Sequence, residues 1–264
     1  MIDRARRLSP HVDAVNVTDG SRARVRLSGL FAAAAIRHHL GLEVVAHLTT
    51  RDRNRIALQA DLLGASAWGI RSVLAVTGDA PTDGDEPEAK LVGDVDTAGI
   101  IRLVAALNQG KTSSGRDLDG HTDLLIGCGA NPGADDLDKE LGKLRPRLAA
   151  GVSFVQTQPI FDVERALAFA EAVKPLGVPV LYGLLPLRNA ERARYFNNIP
   201  GMRVPNEVIA RLERGGEGEG LAIVVEMAQR LAPHVPGLHI FPMGSLQAVR
   251  AIADAVAPWR QPAD

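Results

Sequence analysis

Residues 44–79, VVAHLTTRDRNRIALQADLLGASAWGIRSVLAVTGD, carry one full turn of the pattern that decides the fold. Val44–Thr49 is a short apolar run, Arg53–Trp68 spaces its apolar side chains at helical period, and Val73–Thr77 is a second apolar run like the first. Short continuous runs of Val, Leu and Ala are strands buried on both faces, as in parallel sheets, and a helix between two of them is the crossover that parallel strands need. Both runs end in small or polar residues, Thr49-Thr50-Arg51-Asp52 and Thr77-Gly78-Asp79, which read as loops.

The same unit recurs in both directions. Strands are expected at Ala14–Thr18, Val44–Thr49, Val73–Thr77, Leu124–Cys128, Phe154–Gln158, Val180–Leu185 and Leu238–Met243. Helical patterns fill Ala23–Leu40, Arg53–Trp68, Asp96–Asn108, Asp136–Leu148, Val163–Val173, Ala190–Asn197, Leu221–Leu231 and Leu246–Val256. Ile2–Leu8 reads as the tail of a helix leading into the first strand. One strand before it would complete an eightfold barrel, so the expectation is an α/β fold, a (βα)8 TIM-type barrel with seven strands visible, forming a single domain over 1–264. Three segments interrupt the rhythm: the acidic Asp79–Glu88, the polar Gln109–Thr122 and the glycine-rich Arg214–Gly220. Each reads as a surface loop, because the alternation resumes after it at the same scale.

Composition narrows the chemistry. Thirty basic against thirty-one acidic residues give a net charge of −1, which is no footprint for a nucleic-acid or polybasic membrane-surface binder. A single cysteine, Cys128, excludes an internal disulfide and any multi-cysteine metal cluster. The apolar stretches Gly29–Ile36 and Val178–Leu187 fall well below the ~20 residues of a membrane span, and Met1–Arg7 is too polar for a signal peptide. The expected location is the cytoplasm. Among short motifs, Gly110-Lys111-Thr112 lacks the first glycine of a P-loop and follows a helix, and Gly127-Cys128-Gly129 with Gly133 has the wrong spacing for a dinucleotide fingerprint. No histidine pair has metal-ligand spacing and there is no G-x-S-x-G elbow, so neither a metal site nor hydrolase-type acyl transfer is expected.

Active sites of barrels lie at the carboxyl ends of the strands, so the polar segments there carry the functional signal. They are VNVTD (15–19), AHLTTRD (46–52), VLAVTGD (73–79), QTQPIFD (156–162), YGLLP (182–186) and PGMRVP (200–205). In this order and spacing they resemble the 5,10-methylenetetrahydrofolate reductase family, flavin-dependent barrels, over about Leu8 to Gly244. The resemblance implies FAD as cofactor, NADH or NADPH as reductant, methylenetetrahydrofolate as substrate and ping-pong transfer through one site. It also implies a place in one-carbon metabolism.

By position in these motifs, Asp79 matches the carboxylate beside flavin and pterin, where it would favour the cationic iminium form of the folate. Thr18, Asp19, Ser21, His47, Val76, Thr77, Gly78 and Asn131 fall on flavin-site positions, and Glu140, Lys143 and Arg147 on the helix that holds the FAD ribose and phosphates. Gln158 matches the amide that reads the pterin, Phe196 an aromatic that stacks on nicotinamide or folate, and Arg192 a position from which a guanidinium would engage the folate's glutamate carboxylate. On the residues alone these have plainer readings. Thr18 and Thr77 are also helix caps, Asp79 a turn acceptor, Lys143 and Arg147 a solvated basic face, and Phe196 a core residue.

The sequence departs from the family at the first strand, whose proton-donating glutamate has no counterpart here, with Asp19 the nearest substitute. It departs again at Thr77, where an arginine is common, at Asn131, often aromatic, and at Ser245, where an arginine is expected. The alternative function is a non-catalytic or partner-dependent flavin- or folate-binding subunit, and a homo-oligomer or a partner chain would complete the open edge.

Overall fold

The computed structural model describes residues 1–199, 201–216 and 218–260. Pro200 of the PGMRVP segment, Glu217 of the glycine-rich loop and the last four residues of the expected 1–264 domain lie outside them. The chain forms two compact units, residues 1–129 with 146–154, and residues 130–145 with 155–264.

In the first unit, α1 (Ile2–Leu8) leads into β1 (Ala14–Val17). Then follow α2 (Gly29–Leu40), β2 (Glu43–Thr49), α3 (Arg55–Ala67), β3 (Ser72–Val76), α4 (Thr97–Asn108) and β4 (Leu125–Ala130). Each strand pairs in parallel with the one before it: Val15 stands opposite Val44, Ala46 opposite Val73, and Val73 opposite Ile126. Side chains of one strand alternate between faces, and the register sorts them. Val15, Val17, Val44 and Ala46 pack with Ala33 and Ile36 of α2 and Ala65 of α3. Leu58, Leu62, Ile100 and Leu107 are fully buried on α3 and α4. Each such aliphatic side chain contributes about 1.5–3 kcal/mol of burial, which outweighs the weak intrinsic stability of helices this short.

Of α5 (Leu137–Ala149), residues 137–145 belong to the second unit and 146–149 to the first, and the second unit continues through β5 (Phe154–Ile160), α6 (Val163–Val173), β6 (Val180–Leu184), α7 (Ala190–Phe196), α8 (Asn206–Gly215), α9 (Glu219–Leu231), β7 (Gly237–Ile240) and α10 (Leu246–Val256). β5 pairs in parallel with β6 and β6 with β7. Phe169 of α6 is buried edge-on against Tyr182 of β6, ring centres 6.3 Å apart. In both units strands add in chain order without reversal, which is the connectivity of a βα barrel and not of a doubly wound sheet.

Helix starts follow the sequence chemistry. Asn54 accepts from the Ile56 and Ala57 amides, Asp96 from Gly99, Asp162 from Arg165, Asn189 from Arg192 and Ser245 from Ala248, each a side-chain cap at an amino terminus.

The strand expected at Leu238–Met243 ends at Ile240, and two other expected elements differ more. The helix expected from Ala23 starts at Gly29, because Arg22 and Ala23 take left-handed backbone angles (φ 60° and 50°) and residues 20–28 form a loop bonded to distant acids. The Arg214–Gly220 loop is shorter than expected, since α8, which the sequence pattern does not mark, runs to Gly215.

One half-buried base gives the second unit a pH signature. His239 on β7 lies with Nε2 3.3 Å from the Thr157 carbonyl and its ring 4.2 Å from that of Phe241, and its Nδ1 is buried with no hydrogen-bond partner among the described residues. Burial pushes its pKa down to about 4. The unfolded chain therefore takes up this proton first, at about pH 6.5, and stability falls as pH drops from there toward 4. Between pH 7 and 4.5 the expected loss from His239 is about 2 kcal/mol. Urea midpoints at the two pH values measure it, and His239→Phe should flatten that part of the profile; an equal slope in the variant refutes the assignment.

Candidate functional site

Because Val15, Val17, Val44 and Ala46 face the helices, Asn16 and His47 face the opposite side of the first unit's sheet. They meet there, His47 Nε2 lying 3.1 Å from Asn16 Oδ1. Thr18 continues this row, exposed just beyond the end of β1. On β4 the corresponding positions are glycines. A Cβ at Gly127 would stand 2.4 Å from the Phe154 ring, whereas one at Gly129 would meet no atom of the described residues within 4 Å, so among them β4 leaves open space at its carboxyl end. The Gly129 carbonyl accepts from Arg147 Nη1 at 2.9 Å, which holds that guanidinium against the strand end.

Beyond β3, Val76 is half-buried while Thr77, Gly78 and Asp79 are exposed. The Thr77 hydroxyl lies 3.3 Å from that of Thr97, so it ties the strand end to α4 and does not cap the helix, whose cap is Asp96. Asp79 Oδ2 accepts from the Arg22 amide at 2.6 Å, and its other oxygen has no hydrogen bond among the described residues. Ser21 is exposed in the same short turn as Arg22. The structure thus brings Ser21 and Asp79 to adjoining loops, and Thr18 and His47 to adjoining strand ends.

Asp19 has a different setting. It is buried, its carboxylate accepting from the Thr49 amide (3.0 Å) and hydroxyl (2.9 Å) and from two nitrogens of Arg53 (2.7 and 3.2 Å). Burial alone would raise its pKa, but the Arg53 bond and charge, with the two Thr49 donors, hold it below the ordinary carboxylate value. The sequence reading offers Asp19 as the substitute proton donor; four donors keep this carboxylate ionised, which leaves it no proton to give.

Sequence reasoning also passed over Arg51, which is 7% exposed at the side chain. It forks onto Asp52 (2.6 and 2.7 Å) and donates from Nη1 to the carbonyls of Gly20 (3.2 Å) and Asp79 (3.3 Å). Arg51 and Arg53 sit in a stretch that reads as a charged loop, and only their low exposure separates them from solvated arginines. With Asp19, Arg24, Arg26 and Pro81 they line a cavity of about 340 Å³.

In the second unit Glu140 is buried on α5, its oxygens taken by the Asn131 amide (2.9 Å) and Lys143 Nζ (3.1 Å). Asn131 in turn donates to the Gly201 carbonyl and accepts from the Gly133 amide. Glu140, Lys143 and Asn131 are thus one cluster, with the Lys143 amine half in solvent. Next to it a cavity of about 590 Å³ is lined by Gly133, Asp135, Asn197, Gly201 and Arg203. Gln158 is exposed on β5, where the register slips between Gln156 and Pro159. Phe196 is buried against Phe161 at 5.8 Å, and the Arg192 guanidinium lies over the rings of Tyr195 (4.7 Å) and Phe196 (5.2 Å). The exposed aromatic of this helix is Tyr195. No group of three or more His, Cys, Asp or Glu among the described residues is placed to hold a metal ion. No helix among them is long and apolar enough to cross a membrane.

Parallel strands in chain order, with charged and hydroxylated side chains at their carboxyl ends, define an α/β protein of the βα-barrel class. Within that class the chain belongs to the methylenetetrahydrofolate reductase family, whose model matches residues 1–257. It is 24% identical over 88% of its length to a Caenorhabditis elegans protein described as a probable methylenetetrahydrofolate reductase (NADPH), covering 35% of that protein. It is 29% identical over 78% of its length to the 5,10-methylenetetrahydrofolate reductases of Pectobacterium carotovorum subsp. carotovorum and Salmonella typhimurium, covering 63% and 64% of them. The chain therefore spans between about a third and just under two thirds of these curated relatives. Among solved structures, the long-chain alkane monooxygenase LadA shares the fold, with a TM-score of 0.53 at 10% identity, over 97% of this chain and 82% of that one.

Proposed function

We propose that this chain reduces 5,10-methylenetetrahydrofolate to 5-methyltetrahydrofolate with NAD(P)H, using FAD. The observation that carries the reading is Asp79. In a chain of this family it stands exposed at the carboxyl end of β3, with one oxygen tied to the Arg22 amide and the other available.

The residues present suit the cofactor. The hydroxyls of Thr18 and Thr77, the His47–Asn16 pair and the space at Gly129 offer the mixture of donors, acceptors and room that a flat heterocycle edge needs. Arg147 and Lys143 supply positive charge for a pyrophosphate. Glu140 orients Lys143 and the Asn131 amide, and Ser21, Val76 and Gly78 stand in the segments that follow β1 and end β3, where the resemblance expects flavin contacts. Bound FAD would supply the two-electron relay between nicotinamide and folate.

The chain's own groups do the rest. Asp79 places a negative charge where the folate becomes an iminium, Gln158 hydrogen-bonds the pterin edge and Arg192 takes the glutamate carboxylate. Phe196, whose ring is buried against Phe161 and under the Arg192 guanidinium, supports that guanidinium rather than meeting nicotinamide or folate directly.

The test is the visible spectrum of the purified chain with added FAD, followed by anaerobic NADH. A flavin band at about 450 nm that bleaches with NADH is the expected result, and folate turnover then follows directly. Absence of any band overturns the reading in favour of a subunit that needs a partner chain for its cofactor.

A further inference from the structure

Two loops meet at Asp79, and one side chain holds both. The loop after β1 contributes the Arg22 amide that binds Asp79 Oδ2, and the loop after β3 contributes Asp79 itself. Arg51, at the end of the strand between them, donates from a single nitrogen to the carbonyl two residues before Arg22 and to the carbonyl of Asp79. Its other face is locked by the bidentate bonds to Asp52. The surroundings are shaped to this guanidinium. A Cβ at Gly20 would stand 2.6 Å from Arg51 Nη2, and one at Gly78 would press on Thr49 and on Arg51 Cβ at 3.1–3.3 Å. Both glycines also take left-handed angles, φ 54° and 86°, that let the chain turn around the side chain. Arg22 and Ala23 adopt the same region without being glycines, a conformation that persists only where neighbouring contacts impose it.

We propose that Arg51 is the positioning residue for Asp79: by bridging the Gly20 and Asp79 carbonyls it keeps the Arg22 amide on one carboxylate oxygen and aims the other at the folate. The inference rests on the reading of Asp79 given above. A lysine carries the charge but not the fork, so it cannot hold Asp52 and both carbonyls at once.

Two measurements test it, in FAD-loaded protein. The first is hydrogen exchange of the Arg22 amide, followed in 15N-arginine-labelled chain. Arg51→Gln should speed it at least tenfold, and Arg51→Lys, the variant to use should the first misfold, by a smaller factor. The second is a double-mutant cycle on methylenetetrahydrofolate turnover. Arg51→Gln should cost about tenfold in kcat in the wild type and less than twofold in an Asp79→Asn background, because residues acting through one group are not additive. A purely structural arginine would cost the same in both. An unchanged Arg22 exchange rate, or equal losses in the two backgrounds, overturns the proposal. Should the wild type bind FAD yet turn over no folate, the functional reading fails instead, and the exchange measurement still decides what Arg51 does.

Discussion

Asp79→Asn is expected to cut turnover of methylenetetrahydrofolate by about 10²–10³-fold, the range for removing one preorganised electrostatic partner of a developing charge, while the chain still takes up FAD. The substitution is chosen for what it preserves. An asparagine carbonyl accepts from the Arg22 amide as the carboxylate does, so the two loops stay joined, and Arg51 bonds the main chain of residue 79 and not its side chain. What disappears is a negative charge on an oxygen that no described residue occupies. A cationic iminium then forms without a counter-charge, and kcat falls rather than substrate affinity alone. Asp79→Ala should do worse, because it also frees the Arg22 amide and with it a backbone already in left-handed angles. Stopped-flow oxidation of the reduced flavin by the folate measures the step. A loss under threefold for Asp79→Asn removes the residue from the chemistry.

The alternation of strands and helices was legible in the sequence because burial on both faces leaves a local mark: Val44–Thr49 and Val73–Thr77 could be little else once a helical period separated them. Helix caps were legible for the same reason, each lying within three residues of the amide it binds. The loop at residues 20–28 was not. Its form depends on bonds from Arg22 to Asp79 and from Val25 to Asp85, 57 and 60 residues away, and its left-handed residues after Gly20 carry none of the glycine or asparagine signal that usually marks such angles.

The same limit applies to the charged residues. Asp19, Arg51 and Arg53 lie among several arginines and aspartates in two short loops, and nothing local distinguishes the buried ones from those in solvent. Exposure follows from packing: the β1 and β3 loops close over Arg51, and Asp19 reaches Arg53 across 34 residues. Phe196 shows the converse, since an aromatic at a helix end was open to both a core and a stacking reading, and its burial depends on Phe161.

Asp19 and Arg53 form an ion pair of the first unit in which both side chains are largely buried, and breaking it should be strongly destabilising. Removing one partner of such a pair costs about 3–5 kcal/mol, because the other is left with an uncompensated charge. Asp19→Asn should fall near the lower end, about 3 kcal/mol, since Arg53 keeps a second bond to Asp61 at 2.7 Å and an amide oxygen still accepts from Thr49. For a chain of this size that is a drop in Tm of about 6–12 °C. Replacing both partners by apolar residues does not restore stability, because the Thr49 amide would then lose its acceptor. The pH dependence has the same sign as that of His239 but lies in a more acid window. The folded pKa of Asp19 is lowered, so its contribution is fully present above the unfolded value of about 3.9 and is lost as pH falls below it toward the folded value. Wild type and Asp19→Asn should therefore converge in stability only in that acid window, after the His239 loss is complete. The experiment also separates the two roles open to this residue. A fall in Tm with FAD affinity kept marks Asp19 as the anchor of the β1–α2 loop, whereas unchanged stability with a tenfold weaker FAD affinity makes it a cofactor ligand and sinks the anchor.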